Sequence, residues 1–600
     1  MRGRGLRPGQ WRALLGIVGV ALVATACGGG SGAGTTVTYV GVAGGTISFG
    51  TTEGPTGCNP NAPSGDTPGT RTILGAVLPS PFVVSSTGAP VANPNLIAQS
   101  ELVSTKPETI VYTLNPKAVW SDGVPITATD FKYAWDQQRA DQSVTPSVSS
   151  IAGYRDIASI TGSNNGHTVT VKFKTTFADW QMLFDNLLPA HVMEKTGWDP
   201  TCPTVSPTID LSGGPFMLHA VTGETITLVQ NPKWWGTPPN ARQITVHIAT
   251  STGQLAQWMS SGFVQVAQPS TVTSSFLSQM TGLPDAQSDV DTSGTLLQLN
   301  MASSPDTTLS PDVRVAVALL INRQDLVNQQ VAWAMPGIEV ADSHVNIQGQ
   351  AAYKPTSTGT PTTTIPTPTS STSTTVIGAG GSVNFPVTPI PAQADALLAA
   401  SGLVRAPGDP YYHYALGAPY TLHMVVDMAD PWAARAALVI RDELVAAGLD
   451  TTLSDEPTAT AAGHALANGF ADLALMPEDF SPYLSQTLAW YTMLLGPPGR
   501  NGSEDWTGYS NAQFDQTVTT ASQQLNPDTA ATSYTQADMH LWDEMVSLPL
   551  YPEPSALTWS RKIGGVTPTP RSDSLLWYAQ FWALRQPEST SNTTPSLPGQ

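Results

Sequence analysis

The sequence predicts an α/β or α+β protein with more than one lobe. Three observations carry this. Strand and helix signals alternate along the chain. Its 600 residues exceed what one hydrophobic core normally holds. Apolar residues make up 40% and charged residues 12%, too apolar for a wholly disordered chain, while no series of long apolar runs marks a polytopic membrane protein.

The elements follow in order. Gly44 to Gly50 alternates as a strand, and a loop rich in Pro, Gly and Asn runs to about Gly69. Residues 71–83 read as a short helix or strand. Val111 to Leu114 is a strand, Ser121-Asp122-Gly123 a turn, and Thr127 to Gln138 a helix capped at Thr127. His167 to Phe173, Thr225 to Val229 and Gln243 to Ile248 alternate as strands. Ser310 to Trp333 reads as one helix, with Val313, Val317, Leu320 and Ile321 at helical spacing. Ala392 to Ser401, Pro431 to Ala447, Asn511 to Gln524 and Pro527 to Glu544 are further helices, and Asp450 to Leu453 a strand. Thr356 to Thr375 consists almost wholly of Thr, Ser, Pro and Gly and is expected to be a surface insertion. The tail 586–600 is expected to be disordered.

Charge and targeting narrow the function. The balance is 26 basic against 45 acidic residues, net −19, which disfavours phosphate backbones and so nucleic acid. Arg2, Arg4, Arg7 and Arg12 precede an apolar stretch from Ala13 to Val23, too short to span a bilayer. Val23-Ala24-Thr25-Ala26-Cys27 then resembles a bacterial lipobox, which implies a signal peptide over 1–27 and lipidation of Cys27. Residues 28–36 make a glycine-rich tether. Cys58 and Cys202 remain, in an oxidising compartment, and a disulfide between them is expected ahead of metal binding. HExxH, GxxxxGK[ST] and GxSxG are absent, and no His pairs with another His or a Cys at metal-ligand spacing. No catalytic residue, metal or cofactor is expected. A secreted, tethered, multi-lobed chain without such motifs reads as a binder.

Five blocks resemble one family. Tyr112 to Phe131 contains Trp120-Ser121-Asp122-Gly123 and Thr127-Ala128-Thr129-Asp130. Gly213-Gly214-Pro215-Phe216 leads to Asn231-Pro232-Lys233-Trp234-Trp235. The others are Val313-Arg314 through Ile321-Asn322-Arg323, Gly508 to Asp515, and Ser547-Leu548-Pro549-Leu550-Tyr551. In order and spacing they are similar to bacterial extracellular solute-binding proteins of family 5, the oligopeptide- and dipeptide-binding lipoproteins of ABC importers. Gln230, Trp234 and Asn322 depart from the usual Arg, Tyr and Asp.

The resemblance implies an α/β, periplasmic-binding-protein-like two-lobed clamp with an additional domain, of type II and the peptide-binding subclass. Lobe I would comprise 37–78, 206–296 and 548–585, the extra domain 79–205, and lobe II 297–547. A carboxylate would receive the peptide amine: Asp479, with Glu478 in reserve and Phe480 beside them. Asp66, Thr67 and Tyr551 are further implied contacts, while Trp120, Trp234 and Trp235 are assigned to packing. The implied function is capture of a peptide or other small solute by a lipid-anchored monomer on the extracytoplasmic face of the membrane, for delivery to an ABC permease and its ATPase subunits. The alternative is a divergent member that senses an envelope ligand or regulates envelope assembly without transport. A hydrolase is the third and weakest reading.

Overall fold

Local chemistry sets the elements that frame the molecule. Thr127 caps the helix Ala128–Gln138, and Asp130 at its third position closes a capping box by accepting from the Thr127 N–H at 2.9 Å. In the turn just before, Gly123 has φ +93° and donates its N–H to the Trp120 carbonyl, a backbone conformation that favours glycine. The strand Glu108–Leu114 alternates strictly between buried and half-buried positions, as does most of Thr168–Phe173.

The computed structural model describes residues 39–139, 148–199, 211–304, 309–346, 385–414, 417–492, 506–569 and 575–587, and residues 40–586 form one compact unit. Cys27, the tether, Cys202, the Thr/Pro-rich segment and all but the start of the tail lie outside the described residues.

A ten-stranded mixed sheet runs through this unit. On one side lie Thr46–Thr51, Phe216–Thr222, Thr225–Gln230, Gln243–Ile248 and Val266–Ala267. On the other lie Thr421–Val426, Asp450–Asp455 and Leu473–Asp479. Two long antiparallel strands, Ala286–Met301 and Ser547–Ser560, join the sides. Their ladder breaks between Thr292 and Leu296, opposite Pro554 and Pro552. The register shifts again between Leu297 and Gln298, and we take this doubly interrupted crossing as the hinge between the two lobes.

Residues 97–173 supply a separate four-stranded sheet, Ile97–Thr105, Glu108–Leu114, Thr168–Phe173 and Ile157–Ser163 in spatial order, covered by the helix Ala128–Gln138. Its core includes Trp120, Phe131, Phe173 and Phe184, and a separate cluster beneath the second lobe centres on Leu297, Val317, Trp432 and Leu548.

The segment Ser310 to Trp333 departs from expectation. It forms two helices, Pro311–Leu320 and Arg323–Gln330. Ile321 is extended and Asn322 caps the second helix by accepting from the Asp325 N–H at 3.1 Å, so the helical pattern restarts rather than continues. The break turns Arg323 inward. It is 2% exposed and donates to the carbonyls of Ala341, Pro549, Phe385 and Pro386. Burial lowers its pKa to about 9. Bonding to Pro549 fastens the returning strand just before the hinge.

Candidate ligand-binding cleft at the hinge

Strand ends from both lobes converge here. Asp479 closes the strand Leu473–Asp479, where it is exposed and pairs in register with Thr295. The Thr295 hydroxyl donates to Asp479 Oδ1 at 2.9 Å, which orients the carboxylate. From the first lobe comes Glu53, two residues past the strand Thr46–Thr51, where its Oε1 accepts the Gly69 N–H at 3.1 Å. Burial raises the Glu53 pKa, and the negative charge of Asp479 adds to the rise. Glu553 on the returning strand is 9% exposed. Burial pushes its pKa well up, with Asp430 and then Asp479 adding to the effect. The hinge thus gathers carboxyls whose ionisation burial opposes, and which a cationic group would help to ionise.

The expected site residues do not all reach this space. Glu478 lies on the opposite face of its strand from Asp479 and is 3% exposed. Its Oε1 accepts from Asn300 Nδ2 at 3.0 Å, and Gln298 Nε2 donates in turn to Asn300 Oδ1 and to the Tyr491 hydroxyl. Glu478 therefore belongs to an internal polar network. Phe480 is buried against Leu296 and Ala341, in the wall rather than the opening. Asp66 is engaged by Arg71, whose Nε donates to it at 2.8 Å. Thr67 caps the helix Pro68–Leu74. Tyr551 is fully buried in the core beneath the second lobe, so the packing assignment describes its ring, although its hydroxyl has no hydrogen-bond partner.

Three contacts hold the cleft's sides together. Trp432 Nε1 donates to the Val272 carbonyl at 2.7 Å. Asp179 of the four-stranded part accepts from the Ser485 N–H at 3.1 Å and from its hydroxyl. The Ala178 N–H donates to the Ser522 carbonyl at 2.7 Å. A groove of about 520 Å³ elsewhere, between Thr129, Lys132, Tyr133 and Trp198, carries both signs of charge on an outer face and has no tie to the hinge. Among the described residues no group of three or more His, Cys, Asp or Glu is arranged to hold a metal.

Sequence reasoning missed Glu53, Asp430, Glu553 and Asp179. Only Pro552-Glu553-Pro554 left a signal, an acid between two prolines inside a strand that should disfavour both.

Fold and cleft define a hinged, two-lobed solute-binding protein of mixed α/β architecture. The profile of bacterial extracellular solute-binding proteins, family 5, matches residues 93–499, and the chain belongs to that family. Family members are binding proteins rather than enzymes. The chain is 26% identical over 309 residues to a probable monoacyl phosphatidylinositol tetramannoside-binding protein, LpqW, of Mycobacterium tuberculosis, a match covering 50% of this chain and 48% of that one. An oligopeptide-binding protein, OppA, of Mycobacterium bovis is 31% identical over 195 residues, 30% of this chain and 31% of that one. The chain thus spans about half the length, or less, of these curated relatives. Among solved structures, the periplasmic EDTA-binding protein EppA has a TM-score of 0.79 at 25% identity, covering 92% of this chain and 98% of that one. The oligopeptide-binding protein AppA of Bacillus subtilis, solved with a nonapeptide, has a TM-score of 0.71 at 14% identity, covering 91% and 100%. Among the described residues no helix is long and apolar enough to cross a membrane.

Proposed function

We propose that the protein is a lipid-anchored extracytoplasmic receptor that closes on a peptide at the hinge and delivers it to an ABC permease driven by ATPase subunits. One observation carries this: Asp479 ends a strand in the cleft, held by Thr295, where a free α-amine can dock. The crowding of Glu53 and Glu553 supports a cationic group and speaks against a chelator with several carboxylates. The relative named for oligopeptides supports the peptide class. The lipobox residues support an anchor at Cys27. The proposed Cys58–Cys202 disulfide is supported by Cys58, which is disulfide-bonded, and by Asn59 Nδ2 donating to the Trp198 carbonyl.

The test joins native mass spectrometry of the soluble 28–600 chain, for a co-purified solute, to calorimetric titration with free-amine and N-acetylated tripeptides. Asp479→Asn keeps the shape and removes the charge. Leaving a desolvated ammonium unpaired costs about 2–5 kcal/mol, so affinity should fall by roughly 30-fold or more. Equal affinity of wild type and variant removes Asp479 from the site.

A second reading, capture of an envelope glycolipid, is favoured by the longer match to the relative named for a phosphatidylinositol mannoside. The acidic hinge opposes it, because that ligand carries a phosphate. Recovery of a glycolipid in the mass spectrum would reverse the order.

A further inference from the structure

The returning strand carries Pro552-Glu553-Pro554 where the hinge ladder is interrupted. Proline fixes its own φ and holds the residue before it extended, so Glu553 is presented by a segment with little backbone freedom. Its side chain is 9% exposed, and Oε1 has no hydrogen-bond partner. Two residues earlier, on the same face, Tyr551 is 0% exposed and its hydroxyl is likewise unpartnered. Asp430 caps the helix Pro431–Ala447 from the second lobe, accepting from the Trp432 and Ala433 N–H groups. After burial, its charge adds to the upward shifts of both Tyr551 and Glu553.

Burying a carboxylate and a hydroxyl without partners is unfavourable, and such groups in a folded protein call for an explanation. Ionised, the carboxylates of Glu553 and Asp430 only accept, and the tyrosine hydroxyl accepts as well as donates, so a single cationic donor can serve all three. The nearby cation Arg435 is exposed and, among the described residues, pairs with none of the three.

We propose that Glu553, Asp430 and the Tyr551 hydroxyl form a second cation subsite within the hinge, which takes an ammonium or guanidinium group of the solute in addition to the one facing Asp479. This rests on the receptor reading above. The preferred solute then carries two positive groups, either as a peptide with a basic side chain near its free amine or as a diamine. Burial and then the negative neighbours oppose ionisation of Glu553, and those neighbours become partners once a cation lies among them.

The probes are Lys-Ala-Ala, its Nε-acetylated form and 1,5-diaminopentane, titrated into the 28–600 chain as wild type, Glu553→Gln and Tyr551→Phe. The wild type should bind Lys-Ala-Ala at least about 30-fold more tightly than the acetylated form. Glu553→Gln should collapse that ratio to within a few-fold, and Tyr551→Phe should reduce it partway. Diamine binding that Glu553→Gln abolishes, with both peptides silent, assigns the same subsite to polyamines. Equal binding of the two peptides by the wild type, or an unchanged ratio in Glu553→Gln, overturns the subsite. Should Glu553→Gln fail to fold, the ratio in Tyr551→Phe decides, and no reduction overturns it. Silence of all three probes beside a co-purified solute with fewer than two positive groups overturns the subsite and leaves the receptor standing. Silence with no co-purified solute overturns both.

Discussion

Glu108 shows how a single side chain can report on burial. It is 1% exposed at the start of its strand, its Oε2 accepts the Phe177 N–H at 2.7 Å, and its Oε1 has no partner. Burial pushes its pKa up to about 7, against the lowering effect of the Phe177 bond. A carboxyl whose folded pKa is raised binds more protons in the folded state than in the unfolded one, so stability falls as pH rises between the unfolded value of 4.5 and about 7. Glu108→Gln retains an acceptor for Phe177 and cannot ionise. Its melting temperature should match wild type near pH 4.5 and exceed it at pH 8 by about 2–4 °C for each kcal/mol relieved. Parallel melting curves for the two proteins from pH 4.5 to pH 8 would show that water already solvates this acid. Glu108 could not be picked out from the sequence, since one acid among 45 carries no mark of its burial.

At the scale of elements, motif and structure agree where neighbours in sequence make the contact. Trp120, Thr127 and Asp130 are such a case. Asp130 is 3% exposed and accepts from Thr127 N–H, Trp120 Nε1 and Ala190 N–H at 2.9, 3.3 and 3.1 Å. The turn, the helix start and the later helix Ala190–Thr196 are tied to one carboxylate. Asp130→Ala orphans two buried donors and the half-buried Thr127 N–H, at about 1–3 kcal/mol for each buried one, so a loss of about 3–5 kcal/mol in chemical denaturation is expected. A loss under about 1 kcal/mol would mean that water replaces the carboxylate. The turn and cap were readable because their signals span eleven residues. The two long hinge strands were not: of the second only Ser547 to Tyr551 was recognised, and its prolines argue locally against a strand. Pairing with Ala286–Met301, across more than 240 residues, overrides that preference.

For the molecule as a whole, closure depends on contacts that exist only between parts. Asp179 and Ser485 come from the four-stranded part and the second lobe, and the former moves with the first lobe because Trp235 Nε1 donates to the Asn95 carbonyl at 2.6 Å and Ser212 N–H to the Ser121 hydroxyl at 3.0 Å. If the hinge opens, as the receptor reading requires, Asp179 and Ser485 part. Asp179→Ala should therefore speed dissociation of a bound peptide by about 10-fold, the equivalent of one bond to a charged group, with little change in melting of the empty protein. Stopped-flow displacement measures this, and an unchanged off-rate would place the contact outside the closing motion.

By itself the sequence determined the α/β class, most helices and short strands, and the family, because periodicity, caps and ordered motifs are local or survive as patterns. Tertiary structure alone decided which acids share the cleft. Glu53, Asp430, Asp479 and Glu553 are spread over 500 residues of chain. Glu478 and Asp479, adjacent in sequence, are parted because successive strand residues face opposite sides. Charge, burial and the absence of a partner are properties of what packs around a residue, and that packing is set by pairings far along the chain.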